Sequence, residues 1–76
     1  MKELLEYIAK SLVDSPDEVN ITMVEGEKSI ILQLKVGPQD VGKVIGKQGR
    51  IAKAIRTIVQ SAAVKDGKRV VIEILD

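Results

Sequence analysis

The sequence predicts an α+β fold in which helices cover one side of a mixed three-stranded sheet. Three observations lead to it: stretches of helical periodicity, stretches rich in alternating or β-branched apolar residues, and glycine or proline at most of the boundaries between them. The predicted order is helix, strand, strand, helix, helix, strand. With 76 residues, the chain is expected to form a single domain around one hydrophobic core.

The first helix is predicted over residues 2–13. Apolar side chains recur there with a period of 3.6 residues, while charged and polar side chains take the opposite face. Pro16 is expected to prevent its extension, because proline restricts the residue before it and has no backbone N–H to donate.

Two strands are predicted next, over residues 19–24 and 29–36, with a turn at Gly26 between them. Apolar and polar residues alternate in both stretches, so each strand has one apolar face. In the second strand this face consists of Ile30, Leu32, Leu34 and Val36. Alternation around a short glycine-containing link predicts an antiparallel hairpin. Met23 in the first strand is expected to fill the core.

Two helices separated by a glycine-containing loop are predicted to follow. Gly37-Pro38 ends the second strand, and Asp40 is predicted to cap a short helix over residues 41–45. The residues at 46–49 interrupt the helical pattern, which then resumes over about residues 50–63.

The last strand is predicted over residues 69–75, after a turn at Asp66-Gly67. The two preceding helices must carry the chain back across the sheet before this strand begins. The second and third strands are therefore predicted to be parallel, whereas the first two are antiparallel.

The composition excludes several classes of function. The chain has no cysteine and no histidine, so disulfides, thiolate nucleophiles, zinc sites built on these ligands and imidazole bases are excluded. Its longest apolar run is three residues, too short for membrane insertion, and its first residues do not resemble a signal peptide. We therefore expect a cytoplasmic, non-enzymatic binding module without a metal or another cofactor.

The charges are distributed unevenly along the chain. Residues 1–28 contain seven acidic and three basic side chains, whereas residues 29–76 contain nine basic and four acidic ones. Residues 41–65 contain six basic side chains and no acidic one. Such a stretch attracts polyanions through its field and through counterion release. The alternative is a solvated helix face without a partner.

The tetrapeptide Gly46-Lys47-Gln48-Gly49, between the two predicted helices, is the most informative motif. Its glycines allow a sharp turn and leave room for a sugar-phosphate backbone to approach the peptide groups. The N–H groups and the dipole at the start of the next helix favour an anion there. Lys47 and Gln48 are predicted to contact phosphates. Arg50 and Lys53 are predicted to flank the same groove.

Apolar residues just before the tetrapeptide are predicted to form a floor for bases. They are Val41, Val44 and Ile45. Residues 44–51 resemble the I-G-x-x-G signature of the KH domain, and the order of elements resembles its type II, bacterial arrangement. The whole chain is similar to the small KhpA-type KH proteins. The resemblance implies one KH domain over residues 1–76, with its core at about 29–76 and an N-terminal helix and strand within 1–28.

The resemblance implies single-stranded RNA binding, with about four nucleotides held along the loop. The residues it nominates for RNA contact are Lys43, Ile45, Gly46, Lys47, Gln48, Gly49, Arg50, Lys53, Lys68 and Arg69. Ile45 would contact bases. Lys68 and Arg69, in the variable loop of the family at residues 66–69, would form the far side of the groove.

The same resemblance also implies partners and a cellular role. It implies an RNA chaperone or post-transcriptional regulator that forms a homodimer, pairs with a larger KhpB/Jag-type KH protein and has a link to cell shape. The alternative is a protein-interaction KH module that acts mainly through dimerisation.

Overall fold

The computed structural model describes residues 2–65 and 67–75, so Asp66 of the predicted last turn lies outside the described residues. The helices are α1 (Lys2–Leu12), α2 (Val41–Ile45) and α3 (Arg50–Val64). The strands are β1 (Asn20–Glu25), β2 (Ser29–Lys35) and β3 (Arg69–Leu75). The order of elements is the predicted one, and their bounds differ from the predictions by at most one residue.

The three strands form one mixed sheet with β2 in the centre. β1 pairs with β2 antiparallel and β3 pairs with β2 parallel, which confirms the predicted topology. One face of the sheet packs against the helices, because alternate residues of β2 and β3 are buried together with the apolar faces of α1 and α3. The α+β architecture predicted from the sequence is therefore confirmed.

The prediction that Met23 fills the core is wrong. Its side chain is 43% exposed, and in β1 only Ile21 is half-buried while the other residues are exposed. β1 is an outer strand of the sheet, and the layer of helices reaches it only near Ile21. The alternating pattern therefore identifies the strand correctly but does not show how far the helices extend over it.

Helix α3 separates the two regions that the sequence nominates for RNA binding. Its 15 residues correspond to a length of about 22 Å. The tetrapeptide at residues 46–49 lies at its start, and β3 begins beyond its end. Within residues 2–65 and 67–75, no helix combines the length and the apolar character that crossing a membrane requires.

Two side chains of α3 cover the outer edge of β3. Arg56 Nε donates a hydrogen bond to the carbonyl oxygen of Ile72, and Gln60 Nε2 donates one to that of Val70, both at 3.4 Å. These contacts satisfy carbonyl groups that have no neighbouring strand on that side. They also hold α3 along β3 and so fix the direction in which α3 carries the loop.

Candidate nucleic-acid interface

The tetrapeptide at residues 46–49, here called the glycine loop, is a tight turn with an unusual backbone. Gly46, Gln48 and Gly49 have φ angles of 76°, 57° and 72°, in the left-handed region. Among the residues that the structure describes, Gln48 is the only non-glycine with a positive φ. Left-handed backbone at a non-glycine residue is strained, and strain of this kind is concentrated at functional sites.

The absence of a side chain has a different consequence at each of the two glycines of the loop. A Cβ atom added at Gly46 would lie 2.5 Å from Cγ1 of Ile51, so the missing side chain lets Ile51 pack under the loop. A Cβ atom added at Gly49 would meet no atom within 4 Å. Gly49 therefore leaves open space beside the first turn of α3.

A third glycine, Gly42, leaves open space on α2. It is exposed, and a Cβ atom added there would also meet nothing within 4 Å. Glycine inside a helix costs about 1 kcal/mol relative to alanine. The packing of the chain therefore does not require a glycine at this position.

The apolar floor predicted before the loop is present only in part. Ile45 and Val41 are half-buried and remain accessible, as is Ile51 after the loop. Val44 is fully buried in the hydrophobic core, so its predicted contact with bases is wrong. The reason is that α2 is anchored to the core by this side chain, which fixes the face that α2 turns outwards.

The start of α3 is open to an anion. Its capping residue is Gly49, and no side chain forms a capping hydrogen bond there. Three basic side chains of this region, Lys47, Arg50 and Lys53, are exposed and form no ion pair within the described part of the chain. Helix N-terminus and unpaired positive charges together favour a phosphate group at this position.

Lys43, by contrast, is held by two carboxylates. Its Nζ atom contacts the carboxylate of Asp14 and lies 3.5 Å from Oδ1 of Asp40. The Asp40 side chain is fully buried and accepts backbone hydrogen bonds from Asp14 and Ser15, at 3.2 and 3.1 Å. The prediction that Asp40 caps α2 is therefore wrong: it forms no cap and instead holds the segment after α1.

These contacts shift the ionisation of Asp40 and Lys43. Burial acts to raise the pKa of Asp40, but the N–H groups of Asp14 and Ser15 and the Lys43 ammonium group together lower it below its ordinary value. The hydrogen bond to Asp14 raises the pKa of Lys43, against the opposing effect of desolvation. Asp40 and Lys43 are therefore charged at neutral pH, and the Lys43 ammonium group lies between the carboxylates of Asp14 and Asp40.

Lys68 and Arg69 lie at the other end of α3 and are not brought together with the glycine loop. Lys68 forms an ion pair with the carboxylate of Glu25, and its hydrogen bond lowers the pKa of Glu25. Arg69 is exposed, and its backbone N–H donates to the carbonyl oxygen of Lys28 at 3.0 Å. Gln60, Val64 and Val70 line a cavity of about 360 Å³ with these two basic residues.

Two further basic residues of the stretch at 41–65 do not join the loop either. The Arg56 side chain is directed towards β3 by its hydrogen bond to Ile72. Lys65 follows the last residue of α3, at the end remote from the loop. Of the basic residues that flank the loop, Lys47, Arg50 and Lys53 are thus the ones that the structure leaves unpaired, and their contact with RNA remains a prediction.

The glycine loop, the short helix before it and the three-stranded sheet agree with one known family. The sequence model of the family described as "KhpA/KhpB, KH domain" matches residues 2–74. The chain belongs to this family. The match includes the N-terminal helix and strand as well as the part of the chain that carries the glycine loop.

Curated relatives match over nearly their full length. "RNA-binding protein KhpA" of Clostridium acetobutylicum is 72% identical over 75 residues, covering 99% of this chain and 100% of the relative. The protein of the same name from Clostridium perfringens is 68% identical with the same coverage. That from Aquifex aeolicus is 54% identical, covering 100% of this chain and 96% of the relative.

Two solved structures of Era share the fold at low sequence identity. A variant of Aquifex aeolicus Era bound to GDP and aluminium fluoride has a TM-score of 0.70 at 19% identity. Era in complex with MgGDPNP and nucleotides 1506–1542 of 16S ribosomal RNA has a TM-score of 0.63 at 18% identity. In both cases the match covers 96% of this chain and 28% of the Era chain, so it concerns the fold of one part of Era.

Proposed function

We propose that this protein is a non-enzymatic module that binds single-stranded RNA at the glycine loop. The observation that carries the proposal is the open, uncapped start of α3, which lies beside left-handed backbone and three unpaired basic side chains. The relatives that match over their full length are named RNA-binding proteins, which supports the same conclusion.

In the proposed mechanism the sugar-phosphate backbone lies along the glycine loop. The space beside Gly49 allows a phosphate to approach the N–H groups of the first turn of α3. Lys47 and Arg50 then neutralise phosphate charge, and Gln48 offers an amide to a phosphate or a base edge. Because phosphate contacts carry no sequence information, we expect low sequence specificity.

The bases would contact aliphatic rather than aromatic side chains. Tyr7 is the single aromatic residue of the chain and lies on α1, outside the loop region. Ile45 and Ile51 are the accessible apolar side chains on either side of the loop. A duplex presents its bases stacked and paired, so contacts of this kind require an unpaired strand.

The proposal is tested by fluorescence anisotropy with a short labelled single-stranded RNA over a range of salt concentrations. The test variant carries Lys47→Asp and Gln48→Asp, which place negative charge at the loop. Aspartate tolerates left-handed backbone, so the loop shape at position 48 is retained. We expect the variant to lose binding while the wild type shows a slope of log K against log salt of roughly −2, as for about three phosphate contacts.

A control variant reverses one charge at the other end of α3, whereas the loop variant reverses one charge and adds another. Lys65→Asp changes an exposed lysine about 22 Å from the loop and is expected to reduce RNA affinity only slightly. Equal losses in the loop variant and in this control would show that binding depends on overall charge and would contradict the proposed site. Circular dichroism confirms that both variants are folded.

A protein-interaction module is the second candidate function. The observation in its favour is a set of large apolar side chains on the outer surface of the helices: Tyr7 and Val64 are each 74% exposed, and Ile58 is 49% exposed. In this candidate function these side chains would be buried in a homodimer or in a complex with a larger KhpB/Jag-type KH protein. Sedimentation with and without RNA separates this candidate from the first.

The RNA-binding proposal also includes a role as an RNA chaperone or post-transcriptional regulator, a cytoplasmic location and a link to cell shape.

A further inference from the structure

The proposed binding of RNA at the glycine loop gives no role to one charged cluster of the structure. Asp14, Asp40 and Lys43, here called the carboxylate–lysine cluster, join the segment after α1 to α2. Lys43 belongs to the basic stretch of the sequence and lies three positions before Gly46. In the folded chain it contributes no free positive charge, because two carboxylates surround it.

The cluster is built around the buried carboxylate of Asp40. Asp40 accepts the backbone N–H groups of Asp14 and Ser15, so it fixes the backbone of this segment beside α2. Gln39 adds to this attachment, since its Nε2 atom donates to Oγ of Ser15 at 2.9 Å and to Oε2 of Glu18 at 3.1 Å. The position of the Asp14 side chain next to Lys43 therefore follows from the fold.

The two carboxylates differ in accessibility. Asp40 is fully buried, whereas the Asp14 side chain is 77% exposed and the Lys43 side chain 42% exposed. A phosphate that reaches Lys43 must therefore displace Asp14 from the ammonium group, and the loss of this ion pair reduces the free energy that the new contact contributes. The two carboxylates and the ammonium group together leave one net negative charge close to the proposed path of the RNA.

We propose that Asp14 withholds Lys43 from RNA and thereby limits the affinity of the glycine-loop site. This inference rests on the proposed function, because it concerns the same RNA-binding surface. It reverses the expectation from the sequence, in which Lys43 is an RNA contact. Asp40 holds Asp14 in place, and Asp14 occupies the ammonium group that phosphate would otherwise bind.

The test compares the wild type, Asp14→Asn, Lys43→Gln and the double variant of these two positions by RNA titration at 50 and 200 mM salt. Lys47→Gln and the loop variant with Lys47→Asp and Gln48→Asp are titrated beside them as references. Asp14→Asn is expected to tighten binding and to make the salt slope steeper by about 0.7, the value for one additional phosphate contact on a single strand. The gain in affinity is therefore about threefold larger at 50 mM than at 200 mM salt. Lys43→Gln alone is expected to change the affinity by less than about twofold, and the double variant to lose the gain.

Two results would overturn the proposal. If Lys43→Gln alone weakens binding and flattens the salt slope as much as Lys47→Gln does, then Lys43 already contacts RNA in the wild type. If the gain from Asp14→Asn persists in the double variant, it arises from removing a negative charge and not from releasing Lys43. Asp14→Ser serves as a second variant, since the backbone N–H that Asp40 binds is retained in both.

Failure of the proposed function gives a different result in the same experiment. In that case the wild type does not bind RNA, or it binds equally well with and without Lys47→Asp and Gln48→Asp. Either result rejects the site and with it the role of Asp14. If the wild type binds and the loop variant does not, the two Asp14 variants alone decide the role of the cluster.

Discussion

The two ends of α3 contain similar sequence signals but differ in what they offer a ligand. At the loop end, Lys47, Arg50 and Lys53 are unpaired in the described chain, and the uncapped helix start favours an anion. At the far end, Lys68 is neutralised by Glu25. The helix end itself also carries partial negative charge there. The contacts formed in the folded chain, and not the number of basic residues, therefore determine which charges are available to RNA.

The largest expected difference between the two ends of α3 is in the cost of replacing a glycine by alanine. Gly46→Ala places Cβ against Ile51 in a backbone region that glycine alone adopts, and we expect it to lower the free energy of unfolding by about 3 kcal/mol. Gly67→Ala, with φ of 68° and open space around its Cβ, should cost only about 1 kcal/mol. Urea unfolding of both variants measures the difference, and equal losses would contradict this account of the loop.

The next effect in size is on the salt dependence of RNA binding, and it should differ between a lysine at each end of α3. Lys53→Gln should make the salt slope of RNA binding less steep by about 0.7, because one phosphate contact is lost. Lys68→Gln should leave the slope unchanged, since its charge is already neutralised by Glu25. Titrations at several salt concentrations measure both slopes. If Lys68→Gln flattens the slope as much as Lys53→Gln, the far end also binds phosphate and the groove extends along the whole of α3.

The smallest expected effect concerns exposed helix positions. Gly42→Ala should raise the free energy of unfolding by about 0.5–1 kcal/mol, because alanine is the better helix former and space is open at this position. It should nevertheless weaken RNA binding if the ligand approaches the bare backbone of α2. Ser61→Ala, on the exposed surface near the end of α3, is the matched control and should leave the affinity unchanged. A Gly42→Ala protein that is more stable and binds RNA as well as the wild type would remove α2 from the interface.

The elements and the glycine loop follow from local patterns and were therefore predictable. Apolar periodicity gives the helices and strands, and the spacing of Gly46 and Gly49 identifies the turn between α2 and α3. The charge state of the site depends on pairs that are distant in sequence. Lys43 meets Asp14 across 29 positions, and Lys68 meets Glu25 across 43.

The depth of burial was predicted less well than the type of element. Val44 and Met23 each lie in an element that the sequence identifies correctly, yet one is fully buried and the other largely exposed, contrary to both expectations. In each case the outcome depends on how a helix lies over the sheet. A single sequence contains no local signal for this arrangement.

The parallel pairing of β2 and β3 has a consequence for how the protein folds. Gln33 and Glu73 are neighbours in the sheet although 40 positions separate them, and α2, the glycine loop and α3 all lie between them. Pairing across so long a separation is slow, because the connecting chain must first lose its conformational freedom. We therefore expect the third strand to join as the connecting helices pack, so that the glycine loop and the sheet are completed in the same cooperative step.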